Sequence, residues 1–96
     1  MQRSYEAMYV VSPALDDENV DFIINKFNDS VSKLGGVINH VDKLGRKRLA
    51  YKVKKFSEGF YILTKFTSDP DHITEIDKTC KYTDDIIRYI ILREDE

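Results

Sequence analysis

His40, His72 and Cys80 are the side chains a transition metal would choose, and none of them has a neighbour at ligand spacing. Neither histidine lies in an HxxxH or HExxH pattern, and Cys80 has no CxxC companion. A zinc site needs three or four such groups converging on one point. The expectation is two surface imidazoles and one small buried thiol. Asp16-Asp17-Glu18 and Asp84-Asp85 are carboxylate clusters, but adjacent acids ahead of a helix or strand read as caps and turns. No Ser/His/Asp arrangement and no glycine loop able to cradle a phosphate is present. The reading is a protein that is not an enzyme, with no catalytic residues, metal, cofactor or small-molecule substrate.

Charge is the feature with chemical content. Lys43, Arg46, Lys47, Arg48, Lys52, Lys54 and Lys55 place seven cations in thirteen residues without one acid. The rest of the chain holds all 17 acids and eight of the 15 basic residues, so a block of +7 sits against a background of −9. A local potential of this kind is hidden by the net charge of −2, and it marks where a polyanion should dock. The bland alternative is a solvated hairpin whose lysines keep an exposed strand from aggregating. An alternating strand would point Leu49, Ala50, Tyr51 and Val53 inward and present Arg48, Lys52 and Lys54 outward. Arg46, Lys47 and Arg48 would occupy a bend, where a mobile loop could follow phosphates.

Ninety-six residues suit one domain, 1–96, burying roughly 60–65% of the surface of its unfolded chain. No apolar run reaches the roughly 20 residues a bilayer span needs, so no membrane partner is expected. The start, Met1 to Glu6, lacks the pattern of a secretory signal. A single cysteine suits a reducing compartment. The expected location is the cytoplasm.

The elements that must position the cations can be read in order. Tyr5 to Val11 is a strand stopped by Ser12-Pro13. Asp16 caps a helix in which Val20, Ile23, Ile24, Phe27, Val31 and Leu34 recur at three- and four-residue spacing, ended by Gly35-Gly36. Val37 to Leu44 is a second strand, with a bend or bulge at Gly45 and continuation over Leu49 to Val53. Phe56 to Gly59 reads as a turn and Phe60 to Thr67 as a third strand. Asp69-Pro70-Asp71 starts a second helix with Ile73, Ile76, Cys80 and Tyr82 on its thinner apolar face. Ile86 to Leu92 is the last strand, followed by the acidic end Glu94-Asp95-Glu96. The order β-α-β-β-α-β is an α+β, ferredoxin-like arrangement: a four-stranded antiparallel sheet with two helices on one face.

The other face then has no cover from this chain. Strand alternation, with the charged Glu6, Lys65 and Arg88 on the open side, assigns Met8, Val10, Tyr61, Leu63, Ile90 and Leu92 to that face. Tyr5, Ala7, Tyr9, Phe60, Ile62, Phe66, Ile87, Tyr89 and Ile91 fall under the helices. So apolar an open face marks a protein interface.

A four-stranded sheet also invites comparison with the RNA-recognition motif, which stacks bases on aromatics of its third strand. Glu58 to Lys65 falls at the equivalent place, but Glu58 and Ile62 stand where a basic and an aromatic residue are needed. Base stacking on that strand is therefore not the expected mode.

Gly45-Arg46-Lys47-Arg48-Leu49-Ala50-Tyr51-Lys52-Val53, followed by Gly59-Phe60-Tyr61, resembles the bacterial small-subunit ribosomal protein S six family. Only Val53 departs, conservatively, from a pattern of glycine, basic residues and Leu-Ala-Tyr-x-Ile. Arg3-Ser4-Tyr5-Glu6, Pro13-Ala14-Leu15 and Asp85-Ile86-Ile87-Arg88 extend the resemblance along the chain. It implies the same fold and a non-enzymatic role: binding small-subunit ribosomal RNA in the platform region, as a pair with ribosomal protein S eighteen. Carried over by position, Lys47 and Arg48 lie in the family's basic hairpin, Arg3 in its basic N-terminus and Arg88 at its strand-four arginine. Ser4 replaces a second N-terminal arginine of some members. The expected RNA-binding set is Arg3, Arg46, Lys47, Arg48, Lys52, Lys54 and Arg88. Two other classes share the architecture. A self-associating regulatory module would bind a small anion at the hairpin. An acylphosphatase needs an arginine in the turn after the first strand, where Ser12 to Leu15 carries no cation.

Overall fold

The computed structural model describes residues 1–94, so Asp95 and Glu96 of the acidic end lie outside the described residues. The elements run β1 (Arg3–Val11), α1 (Asp17–Lys33), β2 (Val37–Val53), β3 (Phe56–Ser68), a 3-10 turn (Pro70–His72), α2 (Ile73–Lys81) and β4 (Ile86–Arg93). The sheet order is β2-β3-β1-β4, every pairing antiparallel, with both helices on one face. This is the expected ferredoxin-like arrangement. Neither helix is long and apolar enough to cross a membrane.

Helix α1 begins and ends as its sequence dictates. The Asp16 carboxylate accepts from the Asn19 N–H at 3.0 Å, and Asp17 and Glu18 favour the positive end of the helix dipole. At the other end Gly35 adopts φ +84°, which lets its N–H reach the Ser32 carbonyl and the Gly36 N–H reach that of Val31. Val20, Ile23, Ile24, Phe27 and Val31 are buried. They meet Tyr5, Ala7, Tyr9, Val11, Ile62 and Phe66 of the sheet in the main core. Ile76 and Cys80 complete it from α2, and burial, aided by the charge of Asp77, pushes the Cys80 thiol up to about 12. Tyr82 does not join this face: it caps α2 and is 70% exposed.

The hairpin of β2 and β3 differs most from the sequence reading. Phe56 to Gly59 form no turn but belong to β3, and the chain reverses at Lys54-Lys55. These two lysines take φ 50° and 74°, the left-handed values a two-residue hairpin turn requires and that Asn-Gly usually supplies. Each costs a side-chain-bearing residue roughly 1–2 kcal/mol. The double variant Lys54→Asn/Lys55→Gly should raise stability by about 1 kcal/mol, a rise of roughly 4–8 °C in Tm for a domain of this size. An unchanged melting curve would show that the turn stores no strain. The expected irregularity at Gly45 is present: φ is +90° and the register shifts between Lys43 and Gly45.

Strand β4 carries a second irregularity. Val10 pairs with Arg88 but Val11 with Ile86, so Ile87 is the extra residue of a bulge. The bulge moves Ile87 out of the helix-covered core, where alternation had placed it, and packs it against Val10 and Leu49 instead.

Candidate nucleic-acid interface

The sheet face away from the helices is assembled in rows. Lys65, Glu6 and Leu92 lie side by side across β3, β1 and β4, then Leu63, Met8 and Ile90, then Tyr61, Val10 and Arg88. All nine residues that alternation assigned to this face share it. Ile90 and Leu92 are 52% and 51% exposed, and Met8, Leu63 and Tyr61 are half-buried. Val10 is the exception, at 3%. The face is not left wholly uncovered by the chain: Leu49, itself buried, closes over Val10 and Ile87, with Val53, Phe56 and Tyr61 around them. This second small core fastens the end of the hairpin onto one end of the open face.

The fastening depends on a break in strand alternation. Arg48 still pairs with Glu58, and Val53 with Phe56, but the register jumps between them. Within this bulged stretch only Leu49 turns inward; Ala50 and Tyr51, expected to follow it, are exposed. Tyr51 lies across from β4, where the Arg88 guanidinium sits 5.3 Å from its ring centre. Arg46, Lys47 and Arg48, expected at a mobile bend, are ladder residues paired with Phe60, Gly59 and Glu58.

Folding divides the basic block in two. Lys43 bonds to Asp21 of α1. Arg46 bonds to Glu58 at 3.1 Å, lies over the Phe60 ring at 4.7 Å and donates to the Pro13 carbonyl at 3.4 Å. The block has no acid of its own, yet these two cations meet acids from elsewhere and serve the fold. Lys47, Arg48, Lys52, Lys54 and Lys55 are all exposed and make no ion pair among the described residues. With Arg88 beside Tyr51, they gather at the hairpin end of the molecule.

Arg3 is not brought to that end. It begins β1 opposite Ser68, while the hairpin lies beyond the Val11 end. Eight steps of strand separate Arg3 from Val11, roughly 26 Å at 3.3 Å per residue. Two residues outside the expected RNA-binding set, Lys55 and Tyr51, do join the cluster. Tyr51 was hidden by the assumption of unbroken alternation. The signal available was three uncharged residues in succession, Leu49-Ala50-Tyr51, which no regular strand presents to one side.

No three His, Cys, Asp or Glu side chains converge as a metal site among the described residues. A groove of about 540 Å³ between the helices is lined by Phe22, Leu34, Lys26, Asp29, Glu75 and Thr79, among others. It gathers balanced charges and no reactive constellation.

The family model described as "Ribosomal protein S6" matches residues 4–93. The chain belongs to the ribosomal protein S six family. Its relatives include the "Small ribosomal subunit protein bS6" of Heliobacterium modesticaldum, 44% identical over 94 residues, covering 98% of each chain. That of Caldanaerobacter subterraneus subsp. tengcongensis is 42% identical over 94 residues, covering 98% of this chain and 99% of its own. The crystal structure of 30S ribosomal protein S6 from Thermotoga maritima superposes with a TM-score of 0.92 at 27% identity, over 98% of this chain and 89% of that one. As a member of the S six family the chain is a non-enzymatic protein of the small ribosomal subunit, cytoplasmic and ribosome-associated.

Proposed function

We propose that this S six family protein binds small-subunit ribosomal RNA in the platform region through its hairpin end, paired with ribosomal protein S eighteen on its open sheet face. One observation carries the reading. Five exposed cations without ion-pair partners among the described residues stand on a hairpin end that is packed onto the sheet, beside an exposed apolar surface. Cations in this state can exchange their counterions for phosphates with no internal salt bridge to break. Lys47, Arg48, Lys52, Lys54 and Arg88 of the expected set, with Lys55 added, are the residues for the RNA. Arg46, held by Glu58, acts by bracing the hairpin. Arg3 contacts RNA only where the RNA also reaches the far end of β1.

Met8, Leu63, Ile90, Leu92 and the edge of Tyr61 are the surface for the protein partner. Val10 supports it from below. An exposed apolar patch rimmed by Glu6, Lys65 and Arg88 has the anatomy of a protein interface. The chain should copurify with small ribosomal subunits and leave them at high salt. Leu63→Lys should abolish heterodimer formation while the variant keeps its folded circular-dichroism spectrum. Undiminished pairing in that variant would remove the open face as the docking surface.

A further inference from the structure

We propose that Tyr51 is a stacking platform for one unpaired RNA base, with Arg88 as the residue that holds the ring in place; this rests on the RNA-binding reading above. Tyr51 is 62% exposed, although Leu49, two residues before it and on the same side of a regular strand, is buried at 9%. The backbone bulge that turns Leu49 into the small core with Val10 and Ile87 turns Tyr51 out of it. A ring serving only to fasten the hairpin would be covered on both sides. Here Arg88 approaches the ring at 5.3 Å from its centre, and most of its surface remains open to solvent.

The surroundings decide what can occupy it. Arg48, Lys52 and Lys54 flank the ring in sequence, and none is neutralised by an acid among the described residues. An apolar protein segment would meet unscreened cations there. A nucleotide satisfies both features at once: its base lies on the ring, and its flanking phosphates meet the lysines and arginine. A guanidinium near an aromatic ring is attracted to its π-electrons and limits the ring's rotation before the base arrives. Bases inside a duplex cannot reach such a ring, so the ligand is an unpaired nucleotide at a bulge, loop or junction. Stacking of one base on an aromatic is expected to contribute roughly 5- to 150-fold in affinity.

The test uses the full chain and two RNA hairpins identical except for one unpaired 2-aminopurine nucleotide, titrated at low salt. The wild type should bind the bulged RNA at least about fivefold more tightly and quench its 2-aminopurine fluorescence. Tyr51→Phe, which keeps the ring, should retain both effects. Tyr51→Leu should lose the preference and the quenching, yet keep the same dependence of affinity on salt, because no phosphate contact is removed. Equal wild-type affinity for the two RNAs would overturn the proposal, as would a preference that survives in Tyr51→Leu. Failure of the wild type to bind either RNA at low salt would overturn the RNA-binding reading and this proposal with it.

Discussion

Replacing Lys47 and Arg48 together with alanine should flatten the log–log dependence of RNA affinity on salt by about one to two units. Each phosphate contact releases condensed counterions and contributes a slope of roughly 0.7 for single strands to 0.9 for duplex. Both side chains are exposed and without an ion pair among the described residues, so both are available for full contacts. The informative comparison is Lys43→Ala with Arg46→Ala, which removes the same formal charge from the same block. Lys43 and Arg46 already bond to Asp21 and Glu58, so this pair of changes should move the slope by well under one unit. It should instead lower stability, by at most about 1 kcal/mol per exposed pair. Filter binding or fluorescence anisotropy across a salt series reads both. Equal slopes for the two double variants would show that the block acts as undifferentiated charge. An unaltered slope in Lys47→Ala/Arg48→Ala would show that these cations face only solvent.

Phe27→Ala should cost about 3–5 kcal/mol, the expected range for deleting a fully buried phenyl ring. Phe27 is 0% exposed. Its ring centre lies 5.0 Å from that of Tyr9 and 5.9 Å, edge-on, from that of Phe66. It is thus the one aromatic through which α1 engages both central strands. Those neighbours are held in the sheet ladder and cannot collapse into the space left behind, which places the cost toward the upper end. Against a total of roughly 5–15 kcal/mol for a native domain, this approaches loss of the fold. The urea midpoint should drop with the slope of the transition unchanged. A loss below about 1 kcal/mol would show that the core closes around the gap.

Much of this architecture could be read from residue order, because the physics involved is local. The α1 stripe, its Asp16 cap and the Gly35-Gly36 stop each need only a few neighbouring residues, and all three stand as expected. The open face was legible from alternation, since Glu6, Lys65 and Arg88 fixed its polarity. Two of the misreadings share one cause. A bulge shifts alternation by one residue without changing composition, so Ile87 and Tyr51 were assigned to the wrong side. The turn at Lys54-Lys55 has none of the residues that normally announce one, whereas Ser57-Glu58-Gly59 has them and forms strand. Pairings across distance were equally invisible: nothing near Lys43 or Arg46 in sequence announces Asp21 or Glu58. The candidate site was therefore legible as a charge and a face, but not as a division of labour among the cations.

The small cluster of Val10, Leu49 and Ile87 bears on entropy. Basic segments that meet RNA as disordered arms must be ordered at the moment of binding, at about 1–2 kcal/mol per residue of backbone. Here Leu49 anchors the cationic segment during folding, so the ordering cost is met before any RNA is present. Affinity then depends on a hydrophobic contact that touches no nucleotide. The two lysines with left-handed backbone at the tip fit the same logic, as strain held in advance by the folded domain rather than imposed by the ligand. An inventory of phosphate contacts alone would attribute to charge what the packing of three aliphatic side chains makes possible.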